Sequence, residues 1–136
     1  MLYSKGAVQT APDSLGERHV YRIWRATLNS WAGLVAAAKS EQAFREEIVA
    51  LVLSIPLAFL IASEAWKRVM LIGVILLLMA IELLNTAIEK LSDHVTPAQH
   101  PDIGRIKDMA SAAVGIGLLI AGVTWLLAFV QWLGFI

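Results

Sequence analysis

The chain has 136 residues, of which 58% are hydrophobic and 16% charged, with a mean hydropathy of +0.68. Average domains are about 45–50% apolar and about 25% charged, so this composition excludes a small soluble domain and a disordered chain. The 11 basic residues balance the 11 acidic ones, which excludes a general nucleic-acid binder, and without cysteine there is no disulfide or thiolate chemistry. What remains is a one-domain integral membrane protein with few loops.

Residues 1–16 are mixed, with Pro12 and Gly16 near their end and no apolar run long enough for a signal peptide. They are expected to form a flexible arm. From Glu17 the pattern turns helical. Val20, Ile23, Trp24, Leu28, Trp31, Leu34, Val35 and Ala38 recur at helical spacing, while Arg18, Arg22, Arg25 and Asn29 fall on the other side. This spacing predicts an amphipathic helix over about residues 17–40, lying in the membrane interface.

Three apolar segments follow. Residues 48–63 carry no formal charge, yet reach only about 24 Å against a hydrocarbon core of ~30 Å. The span therefore needs a helical extension, giving about 44–63, with Pro56 as a possible kink. The second span covers about 69–91 and the third about 109–135. The expected fold class is an all-α membrane protein with three spans and an N-terminal surface helix. Lys5, Arg18, Arg22, Arg25, Lys39 and Arg45 precede the first span, and Lys90, Arg105 and Lys107 lie between the second and third. Only Lys67 and Arg68 fall on the other side, so the N-terminus is expected in the cytoplasm. Rows of small residues, Ser54–Ala58–Ala62 and Ala113–Gly117–Ala121, would let helices approach closely. Trp132 stands at the height of an aromatic belt.

Glu82, Asn85, Glu89 and Asp93 share one helix face, at i, i+3, i+7 and i+11. Glu82 follows an unbroken apolar run, and a charge at that depth costs at least ~2.5–3.5 kcal/mol, which marks function. Glu41, Arg45, Glu46 and Glu47 before the first span, and Arg105, Lys107 and Asp108 after the second, reach the same cytoplasmic end, with Ser111 one turn on. Carboxylates there suit Mg²⁺, and lysine and arginine suit phosphate. Together these are parts of a phosphoryl-transfer site facing a lipid. Glu17, Lys39, Asp102 and the 64–68 loop read as solvated interface charges. Soluble nucleotide loops are absent, and His19, His94 and His100 are too scattered for zinc.

The stretches E-Q-A-F-R-E-E (41–47), E-L-L-N-T-A-I-E-K-L-S-D (82–93) and G-R-I-K-D-M-A-S-A-A-V (104–114) resemble the bacterial diacylglycerol kinase family. The likeness covers the chain from about Arg22 onward, and the second stretch carries the specific signature E-x-x-N-[ST]-A-I-E-x-x-x-D. The resemblance implies a homotrimer with active sites shared between subunits, transferring the γ-phosphoryl group of Mg-ATP to diacylglycerol. It makes Glu82 the catalytic base and Glu41 and Glu89 the magnesium ligands. Asn85, Lys107 and Asp108 become partners of the nucleotide, and Arg22, Ser30 and Ser111 lie near ATP or lipid. Arg45 and Glu47 fall on the lipid side, with Glu47 and Asp93 in a supporting polar frame. Asn29 stands near the nucleotide where the family often has an aromatic. Family nucleotide contacts fall at Ala98–His100, in a loop that here carries two prolines in place of more acidic residues.

Other readings place the chain differently. Undecaprenol kinase has the same fold with a polyprenol acceptor, and Glu46–Glu47 leans toward the diacylglycerol branch. A non-catalytic oligomer relaying ions through Glu82 would need polar residues through the whole bilayer, and here they stop at one half. A small membrane adaptor leaves Glu82 and Glu89 without a purpose.

Overall fold

The computed structural model describes residues 15–96 and 100–135, without the side chains of Leu15 and Glu17. Residues 1–14 of the N-terminal arm and Ala98 of the nucleotide-contact loop lie outside the described residues. The described chain folds into α1 (Leu15–Ser40), α2 (Gln42–Ile61), α3 (Ala65–Val95) and α4 (Pro101–Trp132), with no strand among the described residues. It divides into two units, 1–36 and 37–136. In the first unit α1 exposes its apolar residues, with Val20 at 70% and Trp31 at 67%.

In the second unit α3 is the central helix, packing along both α2 and α4, while α2 and α4 touch each other little. A residue with extended backbone breaks each junction: Glu41 (φ −108°, ψ 123°) before α2 and Ala62 (φ −116°, ψ 121°) after it. Ala62 still donates to the Ala58 carbonyl at 3.1 Å. α2 thus ends at Ile61, short of the expected 63, and runs unbroken through Pro56. α4 starts well ahead of the apolar run because His100 caps it. The His100 Nδ1 accepts from the Asp102 amide at 3.2 Å, Pro101 supplies a preset first turn, and Asp102 complements the helix dipole.

At 1.5 Å per residue, α3 and α4 reach about 46 and 48 Å and α2 about 30 Å. Among the described residues two helices, α3 and α4, are long and apolar enough to cross a membrane, their most apolar stretches having mean hydropathy 2.4 and 2.3. α2 does not qualify by composition, because Arg45, Glu46 and Glu47 fall in every 18-residue window of its length.

One small core joins the end of α1 with α2 and α3 through Ala37, Phe44 and Met79, with Ile48, Leu51 and Leu83 against it. A second, at the other end, joins Ala58, Ala62 and Leu71, with Ile72 and Trp125 packed on it. The Trp125 Nε1–H donates to the Leu71 carbonyl at 3.1 Å, tying α4 to α3. The row Ser54–Ala58–Ala62 is buried as expected. The α4 row differs: Ala110, Gly117 and Ala121 face inward and Ala113 is exposed. The inward set steps by seven and four, which follows the 3.5-residue seam of packed helices, whereas a strict four-residue row drifts off it. At Gly117 a Cβ would lie 3.1 Å from Ile81 and Leu78, so glycine permits the close approach. Many large apolar side chains stay exposed, such as Leu119 at 66% and Leu60 at 64%. A surface this apolar belongs in lipid or against other copies.

Candidate active site

Glu82, Asn85 and Thr86 sit together on α3 at 8%, 9% and 8% exposure. The Asn85 Nδ2 donates to Glu89 Oε1 at 3.4 Å, one turn further along. The Asn85 Oδ1 is buried with no partner, and so is Glu47 Oε2. A buried orphan costs ~1–3 kcal/mol, so each of these two oxygens calls for a partner that the described side chains do not supply. Glu82 feels the charges of Glu89 and Glu41, and Glu47 feels that of Glu82. The structure thus gathers carboxylates from the start of α2 and from two levels of α3.

Two lysines pair with carboxylates before α2 and at the end of α3. Lys90 Nζ lies 2.8 Å from Glu41 Oε1 and donates to Ser40 Oγ at 2.9 Å. Ser40 Oγ donates in turn to Glu41 Oε1 at 2.7 Å. The hydrogen bonds from Lys90 and then Ser40 hold the Glu41 carboxyl below its ordinary value, keeping it ionised. Lys107, half-buried on α4, pairs with the Asp93 carboxylate at the end of α3. The Arg45 guanidinium donates to the carbonyls of Ala38 and Lys39 at 3.3 and 3.4 Å, satisfying the last turn of α1. Asp108 and Ser111 are exposed on α4, and His100 is occupied in part as the α4 cap. Arg22, Asn29 and Ser30 are exposed on α1, within the separate first unit.

Among the described residues, no three or more acidic or histidine side chains converge tightly enough to hold a metal by themselves. A site of one or two carboxylates that is completed by substrate phosphates has that form. The donors present are carboxylate oxygens and the orphaned Asn85 Oδ1, all hard oxygen, so the set fits a hard divalent cation.

The sequence reading counts Lys90 only toward orientation and places neither it nor Ser40 at the site. The signal for Lys90 was its place directly after Glu89; its reach to a residue some fifty positions earlier was invisible. The reading of 64–68 as solvated charges holds for the exposed Glu64 and is corrected for Lys67 and Arg68, which are half-buried and engaged. Lys67 is only 25% exposed in its side chain and pairs with Glu64 at 2.8 Å. It also donates to Gln131 Oε1 at 3.2 Å. Arg68 Nε donates to the Ala62 carbonyl at 2.8 Å, and its guanidinium lies 4.7 Å from the Phe59 ring centroid. Arg68 answers a carbonyl left open where α2 ends, and Lys67 ties the α2–α3 turn to the Gln131 side chain near the end of α4. They line a cavity of about 580 Å³ with Trp132 and Gln131.

An all-helical membrane protein with a buried acidic face and an ion-paired end is thereby defined. The family model for prokaryotic diacylglycerol kinase matches residues 28–129, and the chain belongs to that family. It is 44% identical to diacylglycerol kinase of Escherichia coli strain K12 over 104 residues, 76% of this chain and 85% of that one. It is 42% identical to diacylglycerol kinase of Pseudomonas aeruginosa over 110 residues, 81% of this chain and 89% of the other. The Helicobacter pylori strain 26695 enzyme of the same name is 36% identical over 104 residues, 76% and 81% of the two chains.

Proposed function

We propose that the protein phosphorylates diacylglycerol to phosphatidic acid with ATP, at the cytoplasmic surface of the bacterial inner membrane. Family membership and the relatives' names support the substrate. The observation that carries the site is the buried Glu82, 8% exposed on a membrane helix, with Asn85 and Glu89 rising from it toward the ion-paired end.

Glu82 is the general base. Its carboxylate takes the proton of the lipid hydroxyl as that oxygen forms a bond to the γ-phosphorus and the bond to the ADP oxygen breaks. Phosphatidic acid and ADP leave, and Glu82 returns its proton to water. Such proton transfer contributes about 10²–10⁴-fold, and the remainder of the acceleration is alignment and charge neutralisation. Asn85 orients Glu89 and keeps Oδ1 for a ligand. Glu41 and Glu89 would hold Mg²⁺, which neutralises phosphate charge when bound. Lys107 leaves Asp93 for phosphate oxygens, and Asp108 helps place the nucleotide. Arg22, Asn29 and His100 serve the nucleotide, while Arg22, Ser30, Arg45, Glu47 and Ser111 serve the lipid side. α2 also crosses the membrane, as the first of three spans in chain order, and the copies assemble as a homotrimer whose packing covers part of the exposed apolar surface.

The test is purified protein in mixed micelles with labelled ATP and Mg²⁺, offered diacylglycerol and undecaprenol side by side. Labelled phosphatidic acid is expected. Label on undecaprenol instead moves the chain to the polyprenol branch, and label on neither lipid refutes the kinase reading.

A further inference from the structure

Glu41 occupies the single extended residue between α1 and α2. It stands at the N-cap position of α2, yet its side chain makes no capping bond there. Its carboxylate turns instead to Ser40 and to Lys90, which reaches across from α3. The three groups close a triangle of 2.8, 2.9 and 2.7 Å. Lys90 is the residue after Glu89, so its backbone anchor is rigidly linked to the second carboxylate of the pair. The ammonium is the polar contact that this carboxylate receives from α3, and it joins the α1–α2 break to the residue beside Glu89.

We infer that Lys90 is a positioning residue for the nucleotide site: it holds the Glu41 carboxylate at a set place relative to Glu89 before Mg-ATP arrives. The inference rests on the kinase reading above. Without Lys90 the Glu41 side chain samples several rotamers, and fixing one such side chain on binding costs about a three- to ten-fold loss of affinity. The charge acts in the same direction on the anionic complex, since an ammonium beside the carboxylates favours Mg-ATP, which carries net negative charge, and opposes the bare cation.

The test uses full-length Lys90→Gln and Lys90→Arg protein in micelles. Lys90 is 58% exposed in its side chain, so neither change disturbs a core. Two quantities are read: steady-state kinetics, and equilibrium binding of Mg²⁺ with a non-hydrolysable ATP analogue by calorimetry. For Lys90→Gln, KM for Mg-ATP and the dissociation constant of the analogue are expected to rise roughly three- to ten-fold, with kcat within about two-fold. Lys90→Arg, which keeps charge and reach, is expected to stay near the parent protein. Unchanged analogue affinity in Lys90→Gln, or equal losses in both variants, overturns the inference. A parent protein that phosphorylates neither lipid refutes the kinase reading instead, and that outcome is recorded separately from the binding isotherm.

Discussion

Helices α3 and α4 are nearly matched in length, at 31 and 32 residues, and in the mean hydropathy of their most apolar stretches, at 2.4 and 2.3. Their roles diverge. A third of α3's most apolar window is buried against 11% of α4's. The α3 helix buries Glu82, Asn85, Thr86 and Ser92, whereas α4 buries only Ala110, Gly117 and Ala121. The difference shows what hydropathy leaves out. Two helices equally able to enter a bilayer differ in which groups they aim inward, and only the helix flanked on both sides can shelter polar ones. α4 instead offers small residues that let α3 come close, and leaves a wide apolar face for lipid or another copy.

The largest expected break of this comparison is Glu82→Gln. Removing the base should lower turnover by at least about 10²-fold while helix content by circular dichroism and the oligomer are unchanged; near-normal turnover would remove Glu82 as base. Next is Gly117→Val against Gly115→Val on α4. The first pushes atoms into Ile81 and Leu78, where a Cβ alone already lies 3.1 Å away. It should cost about 1–3 kcal/mol in thermal or denaturant unfolding in micelles. The second meets nothing within 4 Å and should cost far less. Equal costs would mean that the close approach of α4 to α3 is not where it is described. Trp125→Phe removes the donor to the Leu71 carbonyl and should cost about 0.5–1.5 kcal/mol, read in the same unfolding experiment.

The smallest effect lies at the far turn. Hydrogen bonds from Lys67 and then Trp66 hold the Glu64 carboxyl below its ordinary value of 4.5. A depressed carboxyl lends its stabilisation above its unfolded value and loses it as pH falls through the folded one. Glu64 is fully exposed, so the effect is small and salt-sensitive. The Trp66 indole N–H resonance should hold its position from neutral pH down to 4.5 and shift below that, and Glu64→Gln should abolish the shift.

Much of this was legible in the residues. The apolar runs announced the helices, because exposed backbone polar groups are intolerable in lipid and helices satisfy them internally. The face Glu82–Asn85–Glu89–Asp93 followed from 3.6-residue periodicity, and Glu82 stood out because its neighbours are all apolar. The α4 row holds at Gly117 and Ala121 and fails at Ala113, since a four-residue step drifts off a 3.5-residue seam that Ala110 keeps. Lys67 escaped the reading because composition cannot tell a solvated lysine from one bonded to Gln131, a partner 64 residues on.

The sequence by itself determined the helical class, the membrane environment, the family and the acidic face, all of which depend on local spacing and on transfer to lipid. Only the tertiary structure decided which carboxylates meet which cations. It set Lys90 on Glu41 and Lys107 on Asp93, and it left Asn85 Oδ1 and Glu47 Oε2 buried without partners. These are contacts between segments far apart in the chain. Their physical cause is the packing of α3 against its neighbours, which no periodicity encodes.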